Sequence, residues 1–131
     1  MISFIDAGVL IDAVRGSPDD IVRIKEFLDN PKASFASSSY VRLEVLPKAS
    51  FYRRNEERQF YIDFFESVRH WAPVGESLVQ EALEVAVKFG LSALDALHVA
   101  AALAVGADEL ITSENPSKPI HRVREIAVRT I

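Results

Sequence analysis

The sequence predicts one α/β domain built on a parallel β-sheet that helices cover on both faces. Short apolar runs typical of buried strands alternate along the chain with longer segments that carry apolar residues at helical spacing, which is the pattern of a parallel sheet. The chain has 131 residues, of which 49% are hydrophobic and 26% are charged. That length predicts a single domain over residues 1–131, because two domains would each lack a sizeable core.

Five short apolar runs are predicted to be strands. The first, residues 1–5, is followed directly by Asp6, so its carboxyl end meets an acid. The others are residues 33–38, 71–74, 109–112 and 126–130. Ligands of open parallel sheets bind beyond the carboxyl ends of the strands. The residues that follow these strands are therefore the first candidates for a functional site.

Six segments are predicted to be helices, over residues 8–14, 17–28, 40–46, 55–68, 77–89 and 92–105. The second begins with a hydroxyl cap at Ser17 and a proline at its first position. We expect Pro47 to end the third helix, since proline cannot donate the next backbone hydrogen bond. Ser92 and Asp95 resemble a capping box at the start of the last helix.

The composition excludes several classes of protein and of site. There are no cysteines, which excludes disulfide scaffolds, cysteine nucleophiles and cysteine-based zinc sites. The first residues lack the basic region of a signal peptide and place Asp6 and Asp12 within the apolar stretch. The longest apolar run, residues 96–107, falls short of the roughly 18 residues that a membrane span needs. We therefore expect a cytoplasmic protein that does not enter a membrane.

The charge is unevenly distributed along the chain. The formal net charge of −4 argues against a simple basic nucleic-acid binder. Residues 59–114 carry a net charge of −7, whereas residues 42–58 carry +2 and residues 115–131 carry +3. The two basic stretches have two interpretations, either as solvated faces or as a rim that contacts phosphate groups around an acidic pocket.

Four acids have apolar neighbours in the sequence: Asp6, Glu44, Asp95 and Glu114. A carboxylate in such a setting costs free energy unless it is paired, hydrogen-bonded or bound to a metal. Each has a structural alternative: a helix cap for Asp6, the capping box for Asp95, pairing with Arg42 or Lys48 for Glu44, and a loop charge for Glu114. The sequence offers no similarly placed buried bases to neutralise all four. His98, three residues after Asp95, has two interpretations, as a metal ligand or as a packed helix histidine, and the second is preferred.

A cluster of carboxylates without cysteine or histidine is typical of a site for Mg²⁺ or Mn²⁺. These ions bind one or two protein carboxylates and bridge to phosphate oxygens of a substrate, and they lower the pKa of a bound water. An acidic pocket between basic stretches therefore favours hydrolysis of phosphodiester bonds, with lysine and arginine side chains holding the nucleic-acid backbone.

The four acids lie in motifs that together resemble the PIN-domain family, as in VapC-type toxins of toxin–antitoxin pairs. The motifs are DAGVLID from Asp6, SYVRLE ending at Glu44, LSALDALHVAAA around Asp95, and GADELITSE ending at Glu114. The resemblance covers essentially the whole chain. It implies a three-layer α/β/α sandwich with a central parallel sheet, and a ribonuclease activity that depends on Mg²⁺ or Mn²⁺.

The resemblance also implies roles for individual residues. Asp6, Glu44 and Asp95 match the family's three acids, and Glu114 stands where the family usually has aspartate. All four are expected to be catalytic and to bind the metal. Thr112, Ser113 and Asp12 are expected to lie next to these acids and to orient them without binding the metal themselves. Contacts with the RNA backbone are assigned to Arg53, Arg54, Lys118 and Arg122.

The resemblance further implies an RNA substrate, an antitoxin protein as partner, and a homodimer. The leading hypothesis is a metal-dependent endoribonuclease that is the toxin of a toxin–antitoxin pair. The alternative is an RNA-binding or regulatory module of the same fold with a weakened catalytic site. A receiver domain or an Asp-x-Asp phosphatase fits less well, because Ala7 and Gly8 follow Asp6 where those families need acids.

Overall fold

The computed structural model describes residues 1–131 as five strands and six α-helices. The strands are β1 (Ile2–Ile5), β2 (Ser34–Ser37), β3 (His70–Trp71), β4 (Glu109–Thr112) and β5 (Ala127–Thr130). The helices are α1 (Ala7–Arg15), α2 (Pro18–Leu28), α3 (Ser39–Phe51), α4 (Asn55–Ser67), α5 (Glu76–Phe89) and α6 (Ala93–Ala104). A 3₁₀ helix at Pro119–Arg122, which the sequence pattern did not predict, precedes β5.

The five strands form one parallel sheet in the order β3-β2-β1-β4-β5. From β1 the chain steps outward to β2 and β3, and then returns past β1 to form β4 and β5. Because crossovers between parallel strands are right-handed, connections that step in opposite directions lie on opposite faces of the sheet. This gives the predicted three-layer α/β/α sandwich, with its topological switch point between β1 and β4.

The core forms around the two central strands. Phe4 and Ile5 of β1 and Leu110 and Ile111 of β4 are fully buried, as expected for strands covered on both faces. A continuous cluster of 31 buried hydrophobic residues extends from them into the helices. The alanine-rich α6 packs directly against β2 and β4, since alanine side chains allow a close approach.

Helix α3 continues through Pro47 to Phe51, so the prediction that Pro47 ends it was wrong. Proline removes one backbone hydrogen bond from the helix. Val45 and Ala49, on either side of Pro47, are both buried in the core, and this burial holds the next turn in place. Leu43, four residues before the proline, is 69% exposed, so water can reach the carbonyl group that is left without a donor.

Two further boundaries differ from the prediction. The third strand covers His70–Trp71 rather than residues 71–74. The amide of Ala72 still donates to the carbonyl of Ser37 at 3.0 Å, but the next residue, Pro73, has no N–H and ends the ladder. At the start of α6, Ser92 makes no side-chain cap hydrogen bond, so the predicted capping box does not form.

No single helix is long and apolar enough to cross a membrane. The helices α5 and α6 pass that test only as a pair, and they meet at a bend of 116°.

Candidate functional site

The carboxyl ends of β1 and β4 place Asp6 next to Thr112. In the parallel register, Ile5 pairs with Ile111, so the residues that follow in each strand are neighbours. The Thr112 hydroxyl donates to Asp6 Oδ2 at 2.9 Å and accepts from the Glu114 amide at 3.1 Å. Thr112 is fully buried and fixes both the carboxylate of Asp6 and the turn that carries Glu114.

Glu44 of α3 and His98 of α6 meet beside Asp6. Glu44 Oε2 lies 2.6 Å from His98 Nε2, and Asp6 Oδ1 lies 3.9 Å from the same nitrogen. One ligand-type atom from each of these three residues lies within 4.8 Å of the other two. The structure therefore joins β1, α3 and α6 at a single point beyond the carboxyl edge of the sheet.

His98 acts in this cluster as a hydrogen-bond donor to Glu44. Burial works to lower the pKa of His98, but the hydrogen bond to Glu44 and the negative charge of Asp6 raise it above its usual value. The other ring nitrogen, Nδ1, is buried and has no partner. A metal at Nε2 would move the proton to Nδ1, where no acceptor lies, and histidine ligands normally donate from that second nitrogen. The proton therefore stays on Nε2.

Asp6 is a buried acid without an arginine or lysine partner. Its side chain makes no well-formed cap hydrogen bond to α1, although the backbone amide of Gly8 is near enough to oppose the rise in its pKa. Burial raises the pKa of Asp6 and the negative charge of Glu44 adds to this rise, whereas His98 and the hydrogen bond from Thr112 oppose it. The folded chain thus holds Asp6 at a free-energy cost that a bound cation would offset.

Asp95 and Glu114 extend the acidic site beyond this cluster. Burial and the negative charges of Asp6 and Glu114 raise the pKa of Asp95, against the opposing effect of His98. Asp95 is half-buried on the first turn of α6, whereas Glu114 is exposed on the turn after β4. The main-chain oxygen of Glu114 accepts a hydrogen bond from Thr130 at 2.6 Å, which fixes the backbone while the side chain stays exposed.

Asp12 and Ser113 were predicted to assist the acids, and they lie on two different segments. Asp12 is half-buried on α1, and burial together with the charges of Asp20 and Glu114 raises its pKa. The Ser113 hydroxyl lies against Gly8, where a Cβ atom would collide with it. Gly8 therefore allows the turn after β4 to approach the start of α1 closely.

The basic residues assigned to the nucleic-acid backbone divide into two groups. Arg54 lines a cavity that also includes Glu44, and Arg53 precedes it in the turn between α3 and α4. Arg122 instead donates to the main-chain oxygen of Phe89 at 3.1 Å, so it binds the carboxyl end of α5. Lys118 is exposed just before the 3₁₀ helix. Of these four residues, Arg54 is the one that shares a cavity with an acid of the site, Glu44.

The sequence interpretation considered His98 as a ligand or a packed residue and missed its role as the partner of Glu44. Glu44 pairs with His98 rather than with Arg42 or Lys48, and a buried base does accompany the acids. A signal for it was present in the sequence: Asp95 and His98 are three residues apart, which places both on one face of a helix.

The carboxylate oxygens of this site fit a hard divalent cation. Oxygen atoms of Asp6 and Glu44 lie within 4.8 Å of one another. Asp95 lies close enough for the charge of Asp6 to raise its pKa. Carboxylate oxygens are the ligands that Mg²⁺ and Mn²⁺ prefer. Burial, and then the negative charge of neighbouring carboxylates, raises the pKa of both Asp6 and Asp95, so a cation at these groups would offset both effects.

Several solved structures share this fold over nearly the whole chain. The chain is similar to VapBC2 from Rickettsia felis bound to a promoter DNA fragment, with a TM-score of 0.70 and 17% identity over 100% of this chain and 99% of that one. VapBC-1 from nontypeable Haemophilus influenzae gives 0.67 and 19%, over 99% and 98% of the two chains. A toxin–antitoxin complex from Klebsiella pneumoniae gives 0.63 and 19%, over 88% of each.

At the level of sequence, no curated protein is significantly similar to this chain. The sequence profile of the PIN domain, however, matches residues 3–120. This match spans β1 to the 3₁₀ helix and includes all four acids of the site. The chain therefore belongs to the PIN domain family.

Proposed function

We propose that this protein is a metal-dependent endoribonuclease and the toxin of a toxin–antitoxin pair. The observation that carries the proposal is the meeting of Asp6 and Glu44 at His98 beyond the carboxyl edge of the sheet. Asp95 lies close enough for the charge of Asp6 to raise its pKa. Members of the PIN domain family are generally nucleases. Hydrolysis of RNA requires access to RNA, so the cytoplasm is the proposed place of action.

Asp6, Glu44 and Asp95 would hold Mg²⁺ or Mn²⁺. Glu114, whose side chain is one methylene longer than that of aspartate, would add a further carboxylate oxygen. When bound, such an ion would lower the pKa of a water molecule and neutralise negative charge on the phosphate. Two of the acids are held in position by neighbours. Thr112 binds Asp6 through Oδ2, and His98 binds Glu44 through Oε2, so the second oxygen of each carboxylate is available to a ligand.

An antitoxin is the proposed protein partner. The similar structures are VapBC pairs and a toxin–antitoxin complex, and the likeness covers nearly the whole of this chain. A nuclease that cleaves cellular RNA needs an inhibitor in the cell that makes it, which is the role of the second protein in such pairs. Co-purification with the product of an adjacent open reading frame would support this partner.

A second copy of the chain is the other proposed partner. The aromatic residues of α4 are largely buried in the core and leave little surface for an interface. Helix α5 instead exposes Val79, Leu83 and Val87, beside a groove of about 440 Å³ whose lining side chains are all hydrophobic. Light scattering should give the mass of a dimer at micromolar concentration, and a monomer would contradict this.

The function is tested by incubating labelled RNA with the purified protein and either Mg²⁺, Mn²⁺ or a chelator. We expect cleavage only with a divalent ion. Asp95→Asn should abolish it, because the change removes a ligand without changing the shape of the side chain. Asp63→Asn is the matched control on the exposed face of α4 and should cleave as the parent does. Glu114→Gln should reduce cleavage less than Asp95→Asn.

Two outcomes would count against the proposal. Cleavage that persists in the chelator, or that survives Asp95→Asn, would exclude a metal site at these acids. Metal-independent binding of RNA without any cleavage would instead support the alternative, an RNA-binding or regulatory module with a weakened site.

A further inference from the structure

The last residue of α3 and the turn that follows it, residues 51–54, expose two adjacent aromatic side chains. This segment is called the turn below. Phe51 is 78% exposed and Tyr52 is 59% exposed. Their rings meet edge to face with centroids 5.0 Å apart. Single exposed hydrophobic residues are common on protein surfaces, but a pair of aromatic rings in contact leaves a larger apolar area in water. This pair contributes little to the core and is available to a ligand.

A cavity of about 170 Å³ lies beside this turn, between α1, α3 and α4. Glu44 lies on its wall together with Arg15, Lys48 and Arg54, so the cavity adjoins the acidic site. Arg15 is neutralised by Glu57, since the two side chains are 2.8 Å apart. Lys48 and Arg54 have no carboxylate within salt-bridge distance. The cavity therefore offers two uncompensated cations to an anion.

Arg54 connects the cavity with the aromatic pair. Its guanidinium lies 5.1 Å from the centroid of the Tyr52 ring, which is within the range of a cation–π contact. The preceding residue, Arg53, has a φ of 54°, a left-handed conformation that is unfavourable for residues other than glycine. This conformation ends α3 and turns the chain so that Arg54 reaches the cavity while Phe51 and Tyr52 stay in solvent.

We propose that this turn and cavity form a binding subsite for single-stranded RNA beside Glu44. A backbone phosphate binds between Lys48 and Arg54, and an unpaired base stacks on the exposed ring of Phe51, which Tyr52 supports edge to face. Proteins that bind single strands combine these two elements, because every base has a face that stacks and every nucleotide carries a phosphate. A duplex hides the faces of its bases, so the aromatic pair favours a single strand. The subsite rests on the proposed ribonuclease function.

The test measures binding of a fluorescein-labelled oligoadenylate to the full chain by fluorescence anisotropy, with a chelator present so that no cleavage occurs. An abasic strand of the same length is the second probe. Phe51→Ala should weaken binding of oligoadenylate by about tenfold and leave the abasic strand unaffected. Phe51→Trp should retain the parental affinity, because tryptophan also stacks. Val22→Ala, an exposed apolar residue on α2, is the control.

The phosphate contact has its own variant and control. Lys48→Gln with Arg54→Gln should weaken binding of both strands and flatten the salt dependence of binding by about one unit. Lys32→Gln with Arg69→Gln makes the same change of charge. These two residues precede β2 and β3 and so lie at the opposite edge of the sheet. That control should bind as the parent does.

The outcomes separate the subsite from the proposed function. If the protein cleaves RNA but Phe51→Ala and the Lys48/Arg54 variant both bind it as the parent does, the subsite is wrong and the nuclease proposal stands. If the variants lose binding but the parent cleaves nothing, the subsite stands without the nuclease. If the variants keep RNA binding and lose binding of oligoglutamate instead, the turn is a site for an acidic peptide and the proposal is overturned.

Discussion

Asp6 and Glu109 are two equally buried acids, each 7% exposed, at opposite ends of neighbouring strands. Asp6 follows the carboxyl end of β1, and Glu109 is the first residue of β4. Glu109, at the amino end of β4, accepts from both Arg129 and Ser3. Asp6, just after the carboxyl end of β1, accepts from Thr112 and faces Glu44.

The pKa values of the two acids move in opposite directions for this reason. Burial works to raise the pKa of Glu109, but hydrogen bonds from Arg129 and Ser3 lower it below its usual value. At Asp6 burial prevails and the pKa rises. Burial alone thus does not distinguish a structural acid from a functional one. The partners do, because a paired acid stabilises the fold, whereas an incompletely paired acid costs stability that a bound cation would offset.

The largest expected effect is on RNA cleavage by Asp6→Asn. Asparagine keeps the shape of the side chain and can still accept from Thr112, but it removes the charge that a divalent cation needs. We expect cleavage to fall by a factor of about 10² or more, comparable to the loss of one preorganised catalytic group. Glu109→Gln should cleave at the parental rate under conditions in which both proteins are folded. Equal losses in the two variants would remove the distinction between the two edges.

A smaller effect is expected from changes at His98. His98→Leu removes the donor that holds Glu44, and loss of such a supporting hydrogen bond typically lowers metal affinity or activity by about 10- to 100-fold. His98→Gln provides an amide donor and should restore part of the loss. Titration calorimetry with Mn²⁺ measures the affinity directly. Parental affinity in His98→Leu would show that Glu44 is positioned without it.

Glu109→Gln should lower the free energy of unfolding by about 1–3 kcal/mol at neutral pH, since it weakens charge-assisted hydrogen bonds to a buried group. The pKa of Glu109 is lower in the folded than in the unfolded chain, so its charge stabilises the fold above the unfolded value. That contribution is lost as the pH falls through the folded pKa. Chemical denaturation across this range should show parent and variant converging in acid. A constant difference at all pH values would contradict the ion pair.

The signals that single out the four acids in the sequence are local. Asp6 and Glu114 follow apolar strands, and the topology of any parallel sheet brings such positions to one edge. Glu44 and Asp95 were identified because each carries charge within an apolar helix. These signals need no knowledge of which helix packs against which.

The partners of the acids could not be predicted, because they depend on packing between distant segments. Residues 44 and 98 are 54 positions apart, and the hydrogen bond between them exists only because α3 and α6 meet over β1. The same holds for Glu109 and Arg129, which β4 and β5 bring together. Pro47 shows why a local signal can also mispredict a helix end. The burial of Val45 and Ala49 in the core outweighs the backbone hydrogen bond that proline removes.

The central claim, that the carboxyl edge is a metal site and the amino edge is not, is tested most directly by thermal unfolding with and without Mn²⁺. Without metal, at neutral pH, Asp6→Asn should melt above the parent because it removes a charge that folding disfavours, and Glu109→Gln should melt below it. Saturating Mn²⁺ should raise the Tm of the parent and of Glu109→Gln by the same amount, through preferential binding to the folded state. Asp6→Asn should gain little. A gain in Asp6→Asn equal to that of the parent would contradict the account.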